Sequence, residues 1–295
     1  MLDLISQLTF FCITIFAGFL GALIGIGGGI IMVPALTFLF DLPIQQAIAV
    51  SIVGVVATSI SGGSSYVDQR ITNIRLAIFL ETSTTFGAFL GALLVVLISG
   101  NFLYIIFSFF ALFIATTQIF SLKKEVKKME KNDFKNIKQD RISKLLSLGG
   151  DYIDGNTKTK IEYIIKGSPI GWLISFFAGL GSGLLGIGGG VFQVSAMNIF
   201  MNVPMKVAVA TSKFMIGVTA ATSAILYYVS GVLRLEYIAP AALGVMIGAT
   251  LGTMIMNKLK VKWLKVIFFF LMTYIGYSML GKGILLTFGI HLPLL

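Results

Sequence analysis

Long uncharged apolar runs, cut by glycine clusters and short polar connections, are the main pattern along the chain. They occupy 4–24, 30–40, 44–66, 76–98 and 102–121, and after a polar stretch 169–185, 191–201, 205–229, 237–256 and 264–285. A helix crossing a bilayer needs about 20 mostly apolar residues, and most of these runs are long enough. The strict alternation of a membrane β-barrel is absent. The pattern predicts ten helical segments in two sets of five. Segments 30–40 and 191–201 hold 11 residues each, roughly 16 Å of helix. They either cross as short helices or dip in and return with the segment before them.

The two sets repeat one another. Residues 18–34 (GFLGALIGIGGGIIMVP) align with 179–195 (GLGSGLLGIGGGVFQVS) at an offset of 161. The same offset carries Pro43 onto Pro204, Ala47 onto Ala208, Ser51 onto Ser212, Thr58 onto Thr219, Tyr66 onto Tyr227, Gly87 onto Gly248 and Gly91 onto Gly252. The expected organisation is a first membrane repeat over 1–121, a cytoplasmic linker over 122–168 and a second membrane repeat over 169–295.

Composition narrows the class. Of 295 residues, 57% are hydrophobic and only 12% charged, against about 25% charged in an average soluble domain. Mean hydropathy is +0.96. Too few charges remain to cover a soluble surface, which excludes a soluble enzyme and a disordered chain. The formal net charge is +10. Residues 121–168 hold 12 basic and 7 acidic side chains, so half of that excess lies in one loop. Such a loop reads as cytoplasmic and facing anionic lipid, not as a nucleic-acid surface. With it inside, the uncharged 99–101 connection falls outside, Arg70 and Arg75 inside, Asp41 and the N-terminus outside. In the second half Lys206 falls inside, the 230–236 connection outside, and Lys258, Lys260, Lys262 and Lys265 inside. Equivalent loops then lie on opposite sides. This predicts an all-α integral protein of the cell membrane, built of two inverted-topology repeats of about five helical segments each, with both termini extracytoplasmic. Met1-Leu2-Asp3 lacks a basic leader, so the first segment is expected to be retained. One cysteine and one histidine, Cys12 and His291, allow no intramolecular disulfide and no ordinary zinc site. No cofactor or metal is expected, and Cys12 is expected to pack between helices.

Chemistry gathers at the breaks. Gly-Ile-Gly-Gly-Gly interrupts a helix at 25–29 and again at 186–190. Consecutive glycines cost a helix about 1 kcal/mol each, and in lipid an unwound backbone needs protein or a water-filled cavity to receive it. A helix starting after each break points bare N–H groups and a positive dipole end at it. Two such ends facing one another would make an anion pocket, with Gly27, Gly28, Gly29, Gly188, Gly189 and Gly190 as its backbone. The alternative use of these glycines is tight helix packing. No strand precedes them and no Lys-Ser/Thr follows, so neither a dinucleotide fingerprint nor a P-loop fits.

Polar residues on apolar segments extend the candidate site. Ser51 and Ser212 are equivalent. Lys213 either binds an anion or snorkels to the cytoplasmic edge, and its counterpart is Ile52. Gln193 replaces Met32 and either lines the pocket or bonds a neighbouring helix. Glu81, the only acid well inside an apolar run, is either a proton carrier, a partner of Lys213, or an interfacial residue paired with Arg75 or Arg70. Thr82, Ser83, Thr84 and Thr85 are expected to bond their own helix.

The paired glycine breaks, each followed by Pro-x-x-x-Ala-x-Ala-x-Ser at 43–51 and 204–212, resemble the TauE/SafE family of sulfite and organosulfonate exporters. The second half is nearest, through 186–195, 204–212 and Tyr227-Tyr228-x-x-Gly231. Two positions depart from the family pattern: Ser195 stands where repeat 1 has Pro34, and Lys213 where an uncharged polar residue is expected. The resemblance implies a plasma-membrane permease for small sulfur-containing anions such as sulfite, sulfoacetate or other organosulfonates. The expected activity is secondary transport by alternating access, with an anion channel as the alternative. A receptor or membrane enzyme would need a sensory domain or a catalytic constellation, and the sequence offers neither.

Overall fold

Each apolar run folds as helix, and the glycine clusters and polar connections end it. The computed structural model describes residues 4–24, 28–128, 139–153, 160–256 and 261–291. The first half comprises α1 (Leu4–Ile24), α2 (Gly29–Leu39), α3 (Ile44–Asp68), α4 (Ile74–Leu97) and α5 (Gly100–Lys128). The second comprises α7 (Ser168–Leu185), α8 (Gly190–Ser195), α9 (Met205–Val229), α10 (Leu235–Met256) and α11 (Val261–Phe288). α8 runs into a wider π-helical turn over Ala196–Phe200. Its counterpart α2 continues unbroken through Pro34, which aligns with Ser195 at that junction. Among the described residues, five helices are long and apolar enough to cross a membrane: α4, α7, α9, and the stretches Leu235–Gly252 of α10 and Phe269–Phe288 of α11.

The helices pair across the halves: α1 on α10, α4 on α7, α3 on α9 and α5 on α11. Small residues let these backbones meet. A methyl group at Gly18 would overlap the carbonyl of Val245, and one at Gly179 the carbonyl of Thr84. Gly87 meets Phe176 and Gly248 meets Ile15 in the same way, as do Gly91 with Leu180 and Gly252 with Phe19. Within each couple, one contact becomes the other when both residues move by 161 positions.

The helix ends gather into two sets. At one end, Gln45 Nε2 donates to Ile98 O, Asn101 Nδ2 to Leu286 O and Lys282 Nζ to Thr37 O. Phe10 meets Phe40 edge to face and lies against Tyr237 at a tilt there. At the other end lie the α3–α4 connection, the π-helical turn and the central segment.

That central segment differs from the solvated linker its charges suggest. α5 extends into it as far as Lys128, and α6 (Arg141–Leu145) is followed by an antiparallel hairpin of β1 (Gly150–Ile153) and β2 (Lys160–Tyr163). Leu148, Tyr152, Tyr163 and Ile165 are buried against Leu76, Leu80, Met197 and Met201. Leu148, Tyr152, Tyr163 and Ile165 therefore make a cap on the helix ends, while Arg141, Lys144, Asp151, Lys160, Glu162 and Lys166 stay exposed. Asp140 fastens one edge: its carboxylate accepts from Ser143 N at the start of α6, and from Ser168 N and Oγ at the start of α7. Asn73 fastens the other, donating through Nδ2 to Leu148 O and Tyr163 Oη, both at 2.8 Å.

Burial pushes the Tyr163 phenol up to about 12, and the Asn73 bond offsets only part of this. A raised phenol makes a stabilising contribution that is complete below its unfolded value near 10 and is lost as pH rises through about 12. The hairpin is thus expected to loosen as pH rises from roughly 10 to 12, and Tyr163→Phe, which has no phenol to ionise, is expected to lose that pH dependence. Amide hydrogen exchange of 148–163 reads this.

Cys12 is exposed on α1, not packed between helices. In a membrane helix, apolar residues face lipid and protein alike, so an apolar run does not say which way a small thiol points.

Candidate functional site at the glycine breaks

The breaks depend on backbone conformations that favour glycine. α7 ends at Gly186 with φ 68, and α8 follows Gly189 with φ 67. α2 follows Gly28 with φ 76. Left-handed backbone is nearly free for glycine and strained for other residues. Gly28 sits on the carbonyl of Ala17, and Gly189 on that of Ala178, again one offset apart. Gly188 also has positive φ and meets Val55 and Ile216. Gly27 lies outside the described residues.

Two serines pin the breaks. Ser51 Oγ lies 3.1 Å from Gly29 O and 2.8 Å from Gly186 O, and so joins the start of α2 to the end of α7. Gly29 is pressed so closely on Gly186 that a methyl group there would overlap its carbonyl. Ser212 Oγ, the counterpart of Ser51, lies 3.2 Å from Gly190 O and 3.2 Å from Gln193 Oε1. The structure thus brings Gly29, Ser51 and the second break together, and Gly190, Ser212 and Gln193 beside them.

The two breaks differ chemically. Gln193 is fully buried, and its Nε2 has no partner among the described residues. Ser212 has one hydroxyl hydrogen and two neighbours, so one end of the amide stays unpaired whichever way it is turned. Ser182 Oγ, on α7 across from Gly189, is also buried without a partner among the described residues. Leaving a buried polar group unpaired costs roughly 1–3 kcal/mol. The counterparts of Gln193 and Ser182 are Met32 and Gly21, so unpaired polar atoms collect at the second break. Sequence reasoning missed Ser182; a hydroxyl replacing glycine within the repeat was the available signal.

Lys213 follows Ser212 on α9, turned away by roughly 100°. It is half-buried, and its carbonyl accepts from Ser59 Oγ of α3. Glu81 stands apart from the breaks, between α4 and α9. Its Oε1 accepts from Thr219 Oγ1 at 2.8 Å and Thr85 Oγ1 at 3.0 Å. Arg75 instead donates to Ser147 O of the cap. Thr82 and Thr84 bond their own helix as expected, but Ser83 donates across to Trp172 O of α7.

Comparison with known proteins places the chain. The family model described as "Sulfite exporter TauE/SafE" matches residues 10–279. The chain belongs to the TauE/SafE family. Two curated relatives come from Bacillus subtilis (strain 168). "Probable membrane transporter protein YunE" is 29% identical over 276 residues, covering 91% of this chain and 95% of the relative. "Probable membrane transporter protein YdhB" is 24% identical over 253 residues, covering 85% and 89%. No solved structure matches the chain. This TauE/SafE protein is accordingly a membrane transporter, and the apolar helices are its transmembrane part.

Proposed function

We propose that this protein is a secondary carrier of small sulfur-containing anions such as sulfite, sulfoacetate and other organosulfonates, with the anion held at the glycine breaks. The observation that carries the reading is the pair of buried polar atoms without partners among the described residues, Gln193 Nε2 and Ser182 Oγ, at a point where Gly29 meets Gly186. An oxyanion accepts from such donors, and the start of α2 adds a positive dipole end. Gly28, Gly29, Gly188, Gly189 and Gly190 supply backbone, Ser51 and Ser212 supply hydroxyls, and Lys213, next to Ser212 on α9, supplies positive charge. The close packing of Gly29 on Gly186 favours a carrier over a channel, since an anion can pass only when the breaks separate. The paired contacts one offset apart support two inverted-topology repeats that exchange access to opposite sides. With the positive-inside rule, the capped end is cytoplasmic and both termini are extracytoplasmic.

The test is flux of sulfite and sulfoacetate into liposomes holding the purified chain. Wild type is expected to give saturable uptake and exchange between labelled substrates. Gln193→Met, which installs the residue of the first half, is expected to lose about tenfold or more, since a hydrogen bond to a charged group contributes roughly 1.5–3 kcal/mol. Lys213→Ala is expected to lose flux and its dependence on salt. No flux of any sulfur anion by wild type, or undiminished flux in both variants, would sink the assignment.

A further inference from the structure

We propose that Glu81 is a protonatable latch between α4 and α9, which ties proton movement to release of the second glycine break. The proposal rests on the carrier reading and adds its coupling group.

The latch is a choice between two acceptors. Thr219 has one hydroxyl hydrogen, with Glu81 Oε1 at 2.8 Å on α4 and Met215 O at 3.0 Å on its own helix. An ionised carboxylate is the stronger acceptor and draws the hydrogen to α4. A protonated carboxyl is a weaker one, and the hydrogen returns to Met215 O. The first half shows that unlatched arrangement. Thr58, the counterpart of Thr219, donates to Val55 O of its own helix, and Ala242 stands at the position equivalent to Glu81. The latch is therefore present in one half only.

The position of Thr219 explains why release matters. It lies seven residues after Ser212, about two turns further along α9 on the same stripe. That stripe holds Gly190 and Gln193 at one level and Glu81 at the other. Asn73 N donates to Thr211 Oγ1, and Ser223 Oγ lies 3.4 Å from Ala88 O. These bonds fasten α9 to α4 on either side of the latch, and neither involves an ionisable side chain. Breaking the Glu81 bond frees the stretch of α9 between Thr211 and Ser223, and Ser212, which pins the second break, stands at the edge of that stretch.

The proton has a place to bind. Glu81 Oε2 is buried without a partner among the described residues. Glu81 lines a groove between α4 and α9 with Thr85, Phe86, Phe214, Val218 and Thr222. A proton from water forms an O–H bond at Oε2 and leaves when that bond breaks; no other covalent bond changes, and the Thr219 hydrogen bond is the one that moves. Few charges compete. α7 carries no ionisable side chain. On α9, Lys213 precedes Thr219 by six residues, about 9 Å along the axis and on another side of the helix. Lys206 is exposed near the start of α9, Tyr227 donates to Gly183 O, and Tyr228 is exposed. Arg75 on α4 is held by Ser147 O of the cap, and Tyr163 of the cap by Asn73.

The experiment uses the full chain in liposomes and two readouts. Infrared difference spectra across pH, taken without substrate, are expected to show a protonated-carboxyl band in wild type that is missing in Glu81→Gln. Uptake of sulfite and sulfoacetate is expected to speed up several-fold under a pH gradient in wild type. In Glu81→Gln and Thr219→Val that response is lost, and Thr219→Ser keeps it. A carboxyl band unchanged in Glu81→Gln, or gradient-driven uptake in that variant equal to wild type, would overturn the latch. If wild type moves neither anion, the sulfur-anion reading falls, and the infrared band still decides whether Glu81 titrates.

Discussion

Gly29→Ala is expected to abolish transport and to destabilise the protein by roughly 1–3 kcal/mol. A methyl group at this position overlaps the Gly186 carbonyl and comes within 2.9 Å of Ser51 Oγ. The overlapped group is backbone, so no rotamer change relieves it. Either α2 withdraws from the end of α7, or Ser51 loses one of its two carbonyl partners. Both changes open the contact between the breaks. Gly281→Ala is the control, because nothing lies within 4 Å of that position in α11. There the substitution is expected to stabilise by up to about 1 kcal/mol through helix propensity. Thermal unfolding in detergent and anion flux in liposomes measure the pair. A Gly29→Ala protein with wild-type flux and melting would mean that the breaks do not press together in the working transporter.

The breaks were legible because glycine runs in a membrane helix have few explanations, and a repeat at one fixed offset leaves fewer. The helical segments were legible for the same reason: bilayer length leaves little choice. The facing of each helix was not legible. Apolar side chains suit lipid and protein interior alike, so the periodicity that orients a soluble helix is weak here, and Cys12 turned out exposed. Glu81 was legible as an anomaly, but its partner was not. Arg75 is near in sequence, whereas Thr219 lies 138 positions away and is an unremarkable threonine. The cap was hidden for another reason. Leu148, Tyr152, Tyr163 and Ile165 are four apolar residues scattered through a charged segment, and only a surface such as Met197 and Met201 lets them bury together.

Asn73→Ala is expected to loosen the cap by roughly 2–4 kcal/mol, since one side chain does three jobs. Its Oδ1 accepts from Leu76 N and caps α4, and its Nδ2 holds Leu148 O and Tyr163 Oη. Losing a cap alone costs about 1 kcal/mol, and the rest comes from two acceptors left without their donor where the cap is buried. Hydrogen exchange across β1 and β2 would then rise by about one to three orders of magnitude. Asn73→Asp separates the jobs. A carboxylate still caps α4, suits the positive end of the helix and accepts from the Tyr163 hydroxyl, but it has nothing to donate to Leu148 O. Its exchange is expected to fall between wild type and Asn73→Ala. The Asn73 N–H bond to Thr211 is backbone and survives both changes, so the α4–α9 register is kept while the cap loosens. Transport that stays at the wild-type rate with faster exchange would assign the cap to fastening the helix ends it covers. Transport that falls in step with exchange would assign it to gating that end. Exchange that does not change in either variant would show that Asn73 does not hold the hairpin.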